Sequence, residues 1–419
     1  MQNHIRFIFI FCCFHFWVPL FGQTAIKLAD CEKALQKNNF MVLAQQCHVS
    51  EARAAIIQAK IWPQPYVYGE ANMYNPDQQK YFDVGPQGQT SLQIQQLFML
   101  GGKKRNEINW AKANAQVTEL EFEQLLYQLN FGLKSNFYNL YFDQQVLGSL
   151  QKQIDQIEEL VAAYAVQAEK GNVALKELVR LESLLLNMKN DRIEVQKNIL
   201  EYQQNLAVLT GLPAPLVPQL DNEKDWVMHY SIQKFDTQTL FETALNQNPE
   251  YRMLKQQIEA QKINLKWQQS LSVPDVTLGV SYDQRGGAFN NQKNLTLGIP
   301  IPLWNSNKGN IERAKAAIQG SQFDLDQKQR ELQRAIDAAL AEWNVQRTQF
   351  ISIKPALILN RETVYTGVWQ NFQKRNITLL EFTDFMDSYT QNSLQINESY
   401  KQLILTAEKL NYLVNSPLF

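Results

Sequence analysis

The chain has 419 residues, 45% apolar and 19% charged, enough to build a large core and to exclude intrinsic disorder. Forty Lys and Arg against forty-one Asp and Glu leave a net charge of −1, so no global basic field points to a nucleic-acid partner. Four Cys and four His leave little for metal or nucleophile chemistry, and Cys12, Cys13, His4 and His15 fall in the first 22 residues; no zinc spacing, catalytic triad or phosphate loop can be assembled from Cys31, Cys47, His48 and His229. The sequence predicts no enzyme, no cofactor and no metal site.

In chain order, Arg6 precedes an apolar run from Phe7 to Phe21, broken by His15 and Pro19 and followed by Gly22-Gln23. That is the pattern of a secretory signal over 1–22, so the protein is expected to be exported. No later stretch approaches the roughly 20 apolar residues of a spanning helix, and any membrane crossing must then be made by β-structure. Cys31 and Cys47 each lie eight residues from Asn39, where a short first helix should turn into a second over 40–62. If those helices run antiparallel the two sulfurs face each other, and an exported protein permits a disulfide. Cys47 and His48 point about 100° apart on a helix, so packing or surface placement is the better reading than half a metal site.

Period-two segments are expected as strands at about 66–74 and 90–98, then a proline-free run gives one helix over about 102–168, roughly 100 Å long. Leu150, Ile154, Ile157, Val161, Tyr164 and Ala168 step by four and three, as do Leu178, Leu181, Leu185 and Met188 in a return helix over about 172–209. This is coiled-coil spacing, and Lys170-Gly171-Asn172 is the helix stop and turn between the two. A Pro-rich stretch opens a linker over 214–235. Strands follow at about 274–283 and 293–301, then a long helix over about 307–372 that Pro355 should kink or split. A turn at Lys374-Arg375-Asn376 puts Arg375 where the first turn has glycine, and a return helix over about 376–413 ends the chain.

The chain is written twice. CEKALQKNN (31–39) aligns with FETALNQNP (241–249), NEINWAKANAQ (106–116) with GNIERAKAAIQ (309–319), GNVALKEL (171–178) with RNITLLEF (375–382), and NLAVLTGLP (205–213) with KLNYLVNSP (409–417). The predicted fold is therefore mainly α with a small β part, in two structural repeats over 23–213 and 236–419. Each repeat holds a long helical hairpin and two strands. Val276, Leu278, Val280 and Tyr282 oppose Thr277, Gly279, Ser281 and Asp283, which fits either a half-exposed soluble sheet or transmembrane strands. Four strands cannot close a barrel, and an open edge in lipid leaves backbone groups unpaired; three copies would supply twelve.

QLFMLGGKKRNEINWAKA (96–113) and IPIPLWNSNKGNIERAKA (299–316) are the segments where strand passes into long helix. With this element order they resemble the TolC-like outer-membrane efflux protein family, across essentially the whole mature chain, and look closest to its CzcC- and CusC-like heavy-metal branch. Arg375 and Pro355 are departures. The resemblance implies a homotrimer in the outer membrane of a Gram-negative bacterium, with a β-barrel in lipid and an α-barrel across the periplasm. It implies a passive exit duct for an inner-membrane transporter joined by a periplasmic adaptor, with heavy-metal cations as one cargo class. A soluble periplasmic coiled-coil adaptor or scaffold is the competing reading.

Tyr66, Tyr68, Tyr74, Phe98, Tyr282 and Trp304 flank the strand ends and are expected to form an interfacial girdle, with loops 75–89 and 284–292 outside the cell. The two turns, Lys170 to Asn172 and Lys374 to Asn376, are expected to dock the adaptor. Leu379, Phe382, Met386 and Tyr389 keep a packed seam, while Glu381, Asp384 and Asp387 recur at i, i+3 and i+6. By the resemblance, Glu381 and Asp384 occupy the positions where TolC carries the two aspartates of its periplasmic entrance, and all three are expected as a pore gate favouring cations.

Overall fold

The computed structural model describes residues 24–213, 215–220, 223–286, 288–304 and 306–419; the expected signal segment lies outside the described residues. In chain order the elements are β1 (Thr24–Ile26), α1 (Leu28–Asn38), α2 (Phe40–Lys60), β2 (Tyr66–Ala71), β3 (Tyr74–Asn75), β4 (Lys80–Tyr81), β5 (Gln89–Phe98), α3 (Lys103–Glu169) and α4 (Leu175–Thr210). There follow β6 (Leu216–Pro218), α5 (Glu223–Ile232), α6 (Thr237–Gln247), α7 (Pro249–Ser270), β7 (Val276–Arg285), β8 (Phe289–Gly298), α8 (Lys308–Ser352), α9 (Pro355–Gln373) and α10 (Leu379–Val414). Among the described residues no helix is long and apolar enough to cross a membrane.

α3 runs 67 residues without interruption, about 100 Å at ~1.5 Å per residue. Its counterpart is cut. Ile353 and Lys354 are extended (ψ 110° and 131°) because a residue before proline is driven out of the helical region, and Pro355 restarts the chain as the first residue of α9. Pro355 thus splits the expected helix over 307–372 into two.

Matching corners set the helices that pass beside them. The Asn39 side chain accepts from the Met41 and Val42 N–H groups at the start of α2 and donates to the Leu209 carbonyl at the end of α4. Asn248 likewise accepts from Tyr251 N–H at the start of α7 and donates to the Leu413 carbonyl at the end of α10. Each asparagine satisfies helix-end groups that the chain cannot satisfy by itself.

Around these corners lies the main core, including Leu35, Phe137, Trp343, Leu403 and Leu410. Partly buried ion pairs tie α3 to α10 there: Lys134 to Glu408 at 3.0 Å, with Glu408 also accepting from Tyr230, and Lys401 to Asp143 at 3.0 Å. Burial pushes the Asp143 carboxyl above its usual range even with the Lys401 charge beside it. Described parts of the stretch 214–235 pack into this body. β6 pairs parallel with β1, and Leu216, Val227 and Tyr230 are buried, because these apolar residues have a core within reach.

The larger sheet has the order β2-β5-β7-β8, antiparallel throughout. Directly opposed residues share a face, so Val67, Ile94, Val280 and Leu295 form one row across all four strands. All four are exposed. The opposite face is polar and bonded to itself: Asn294 reaches Asp283 at 3.1 Å, and Gln93 approaches Thr296 at 3.4 Å. β8 begins earlier than the alternation indicated, since Phe289 to Gln292 carry no apolar period and are held by pairing with β7. It stops before Pro300, which has no N–H to give.

Candidate functional site

The passage from sheet to long helix is rigid. Gly101 takes φ +66°, and a Cβ there would lie 2.8 Å from Val273, so the LGG run is required by a close approach as well as a turn. Lys103 is buried and pairs with Asp275 at 2.7 Å, and the same carboxylate oxygen accepts from Leu100 N–H at 3.0 Å. One aspartate of the second half thereby fixes the strand exit of the first.

By register, Tyr66 and Tyr68 oppose Gln95 and Gln93 on the polar face, so they do not belong to an outward girdle. Phe98 and Tyr282 are on the apolar face, and Trp304 projects almost fully exposed beyond β8.

At the far end both hairpins close with the same hydrogen bonds. Gly171 N–H donates to Ala168 O and Asn172 N–H to Gln167 O; Arg375 N–H donates to Phe372 O and Asn376 N–H to Asn371 O. This is the Schellman arrangement, with Gly171 at φ +73° and Arg375 at φ +59°. Each following asparagine also donates from its side chain, Asn172 to Gln167 at 2.8 Å and Asn376 to Asn371 at 3.0 Å. The departure at Arg375 leaves the turn intact, at a cost of about 1–2 kcal/mol for a left-handed residue bearing a Cβ. Lys170, Gly171, Asn172, Lys374, Arg375 and Asn376 are all exposed.

Leu379, Phe382, Met386 and Tyr389 are buried, as their spacing indicated. Phe382 stacks on Phe372 with centroids 4.1 Å apart, Tyr389 lies against Tyr365 at 4.7 Å, and the Tyr389 hydroxyl donates to Glu362 at 3.2 Å. Glu381, Asp384 and Asp387 lie on the exposed side of α10. Glu381 closes a capping box: its carboxylate accepts from Thr378 N–H at 2.7 Å and Thr378 Oγ at 2.9 Å, while Thr378 Oγ accepts from Glu381 N–H at 3.2 Å. Those bonds hold its carboxyl below the usual range. The Thr-x-x-Glu spacing that announces this cap is legible in the sequence, within the same residues as the acidic stripe.

Asp191 on α4 is the acidic residue that the stripe did not reveal. Burial first, and the Asp387 charge second, raise its carboxyl above the ordinary range. Asp191 and Asp387 come from two regions of sequence, α4 and α10.

Above the tip, a cavity of about 690 Å³ lies between α3, α9 and α10, lined by Lys152, Gln153, Arg361, Glu362 and Tyr400 among others. Cys31 and Cys47 are both free, and the expected bridge does not form: Cys31 faces the core whereas Cys47 faces solvent. Burial pushes the Cys31 thiol up to about 11. His48 faces Glu51 at 3.5 Å with both side chains exposed. Among the described residues no group of three or more His, Cys, Asp or Glu could hold a metal ion.

The family model described as outer membrane efflux protein matches residues 32–212 and 240–364, most of both halves of the chain. The chain belongs to that family. It is an outer membrane efflux protein. The cobalt-zinc-cadmium resistance protein CzcC of Cupriavidus metallidurans is 19% identical over 375 residues, covering 88% of this chain and 85% of its own. A crystal structure of CusC superposes with a TM-score of 0.72 at 17% identity, covering 93% of this chain and 92% of its own. The CmeC outer membrane channel of Campylobacter jejuni gives 0.72 at 15% identity, with 92% and 85% covered.

Proposed function

We propose that three copies of this chain close a twelve-stranded barrel in the outer membrane, continued by a periplasmic barrel of helices, as the passive exit duct of a tripartite pump. The observation that carries this reading is the four-stranded sheet. Its apolar face is bare, its polar face is bonded internally, and β2 and β8 leave an edge open on either side. Such a sheet is unfavourable in water and incomplete in lipid until the edges meet partners. The soluble adaptor reading has no use for that face.

The matched asparagine corners and matched tip turns support two repeats, over 23–213 and 236–419. The tips, each with an exposed leucine three or four residues beyond it, Leu175 and Leu380, are the surface we assign to a periplasmic adaptor, which would hold the inner-membrane transporter. For the gate we keep Asp384 and Asp387 and add Asp191. Glu381 contributes charge from a carboxylate already committed to its cap. Threefold repetition of these carboxylates would favour cations and bind multivalent ones. With the resistance protein CzcC among its relatives, divalent metal cations are the cargo this reading favours.

The test is conductance of the purified protein in planar bilayers. We expect cation-selective channels blocked by divalent ions, with both selectivity and block weakened by Asp384→Asn plus Asp387→Asn. Absence of channels contradicts the duct, and unchanged selectivity and block contradict the gate alone.

A further inference from the structure

The loop between β2 and β5 does not have the character that its Asn, Asp, Gln and Gly suggest. Within it β3 and β4 form a miniature hairpin in which Tyr74 packs on Tyr81 at 4.9 Å and Phe82 N–H donates to Met73 O. Asp83, almost fully buried, anchors it: its carboxylate accepts from Asn75 Nδ2 at 3.0 Å and from Gly85 N–H at 3.2 Å. Asn75 also donates to the Gln87 carbonyl. Gln79 and Phe82 are both held at positive φ, 49° and 48°. A bulky residue in that region is strained and persists only where its surroundings fix it.

This braced loop displays apolar side chains to the outside. Met73 and Tyr81 are 70% exposed, Phe82 66% and Val84 61%. Its position on the sheet can be read from Gln284. Opposed to Thr90, Gln284 lies on the same face as Leu92, Ile94, Val280 and Tyr282, and Tyr282 hydroxyl reaches it at 3.0 Å. Yet Gln284 is buried, its amide donating to the Gly85 carbonyl at 2.9 Å, and the Thr90 hydroxyl is sealed from solvent. The loop therefore folds over the end of the apolar face and not across the polar one.

We infer that residues 72–88 form an anchor that lies in the headgroup layer of the outer leaflet, with Tyr81, Phe82, Met73 and Val84 set against lipid and Lys80 at the water boundary. The inference rests on the outer-membrane reading of the sheet. The anchor surface is continuous with the bare apolar rows of β5, β7 and β8, and Phe and Tyr at this height match the preference of aromatic rings for the membrane interface. Lys80 pairs with Asp83 while staying largely exposed, as a cation placed among headgroups should. The rigid bracing serves this role: the loop presents its apolar side chains without an ordering cost on contact.

The experiment is nitroxide accessibility in phospholipid vesicles, using the full-length protein with Cys47→Ser so that the buried Cys31 is the sole remaining mature thiol. Labels go to Phe82→Cys, to Tyr81→Cys as a second site, to Leu295→Cys on the apolar face and to Gln93→Cys on the polar face. The anchor predicts that labels at 81 and 82 collide with oxygen several-fold more, relative to a nickel chelate, than the label at 93, and sit shallower than the label at 295. Chelate-dominated collisions at 81 and 82 with an oxygen-dominated 295 would place the loop in water and overturn the anchor alone. Protection of 81 and 82 from both colliders would mean they are covered by another copy, which also overturns it. A chelate-accessible 295 would remove the membrane reading itself, and the anchor with it.

Discussion

The two hairpins reach the same tip by different means. The first is a single 67-residue helix turned by Gly171 and returned through an aliphatic seam of Ile154, Ile157, Leu181 and Met188. The second is broken at Ile353 and Lys354, turned by Arg375, capped by Thr378 and Glu381, and knit by Tyr365, Phe372, Phe382 and Tyr389. The hydrogen-bond pattern of the turn, more than the residue at its left-handed position, is what the fold requires. Where the second hairpin loses a continuous backbone ladder, aromatic packing and a strong cap hold its far segment in place.

The largest test of that contrast is Phe382→Ala, which empties the centre of the aromatic brace. We expect a loss of about 3–5 kcal/mol, seen as fast hydrogen exchange through α9 and the start of α10 while α3 stays protected above the tip. Uniform loosening of both hairpins would mean the brace is not local to the second. Next comes Thr378→Ala, which removes the cap hydroxyl from α10 and should cost about 1 kcal/mol, with exchange rising at the first turn of α10 only.

The swap of turn residues is smaller and has opposite signs. Arg375→Gly should stabilise the second tip by about 1 kcal/mol, and Gly171→Arg should weaken the first by a similar amount, both measurable by local exchange at 167–178 and 371–382. Equal effects of one sign would contradict the shared turn geometry.

The smallest effect concerns pH. Glu381 has its carboxyl held low, so its contribution is present above the unfolded pKa and is lost as pH falls through the folded one. Asp191 is shifted the other way: burial first and the Asp387 charge second penalise its ionisation, so that penalty is removed as pH falls through its raised folded pKa. Asp387→Asn should lower the Asp191 midpoint, leaving it above the ordinary range because burial remains. Carbodiimide labelling against pH reads this directly, and an unmoved midpoint would show that the two carboxylates do not interact.

How far the sequence carried this reading depends on which physics each region uses. Hairpins and seams were legible because burial repeats with the helical period, and Leu181, Met188, Phe382 and Met386 are all inside. The tip turns were legible from Lys-Gly-Asn, and the Arg375 turn survives because its bonds are made by backbone and by Asn376, which composition does not weigh. The loop between β2 and β5 was not legible. Its apolar residues have no period, and the position of Gly85 over Gln284 depends on a contact between residues almost two hundred apart. The Cys31–Cys47 bridge failed for a related reason, since equal spacing from Asn39 says nothing about which way each helix faces. The packing of the described parts of 214–235 was hidden by prolines, although Leu216 and Tyr230 are core residues.

The central claim is that the open sheet is completed by two further copies of the same chain. Native mass spectrometry of the detergent-extracted protein measures this most directly. The account predicts a particle of three chains that persists when adaptor and pump are absent; a monomer, or an assembly of any other number, would contradict it.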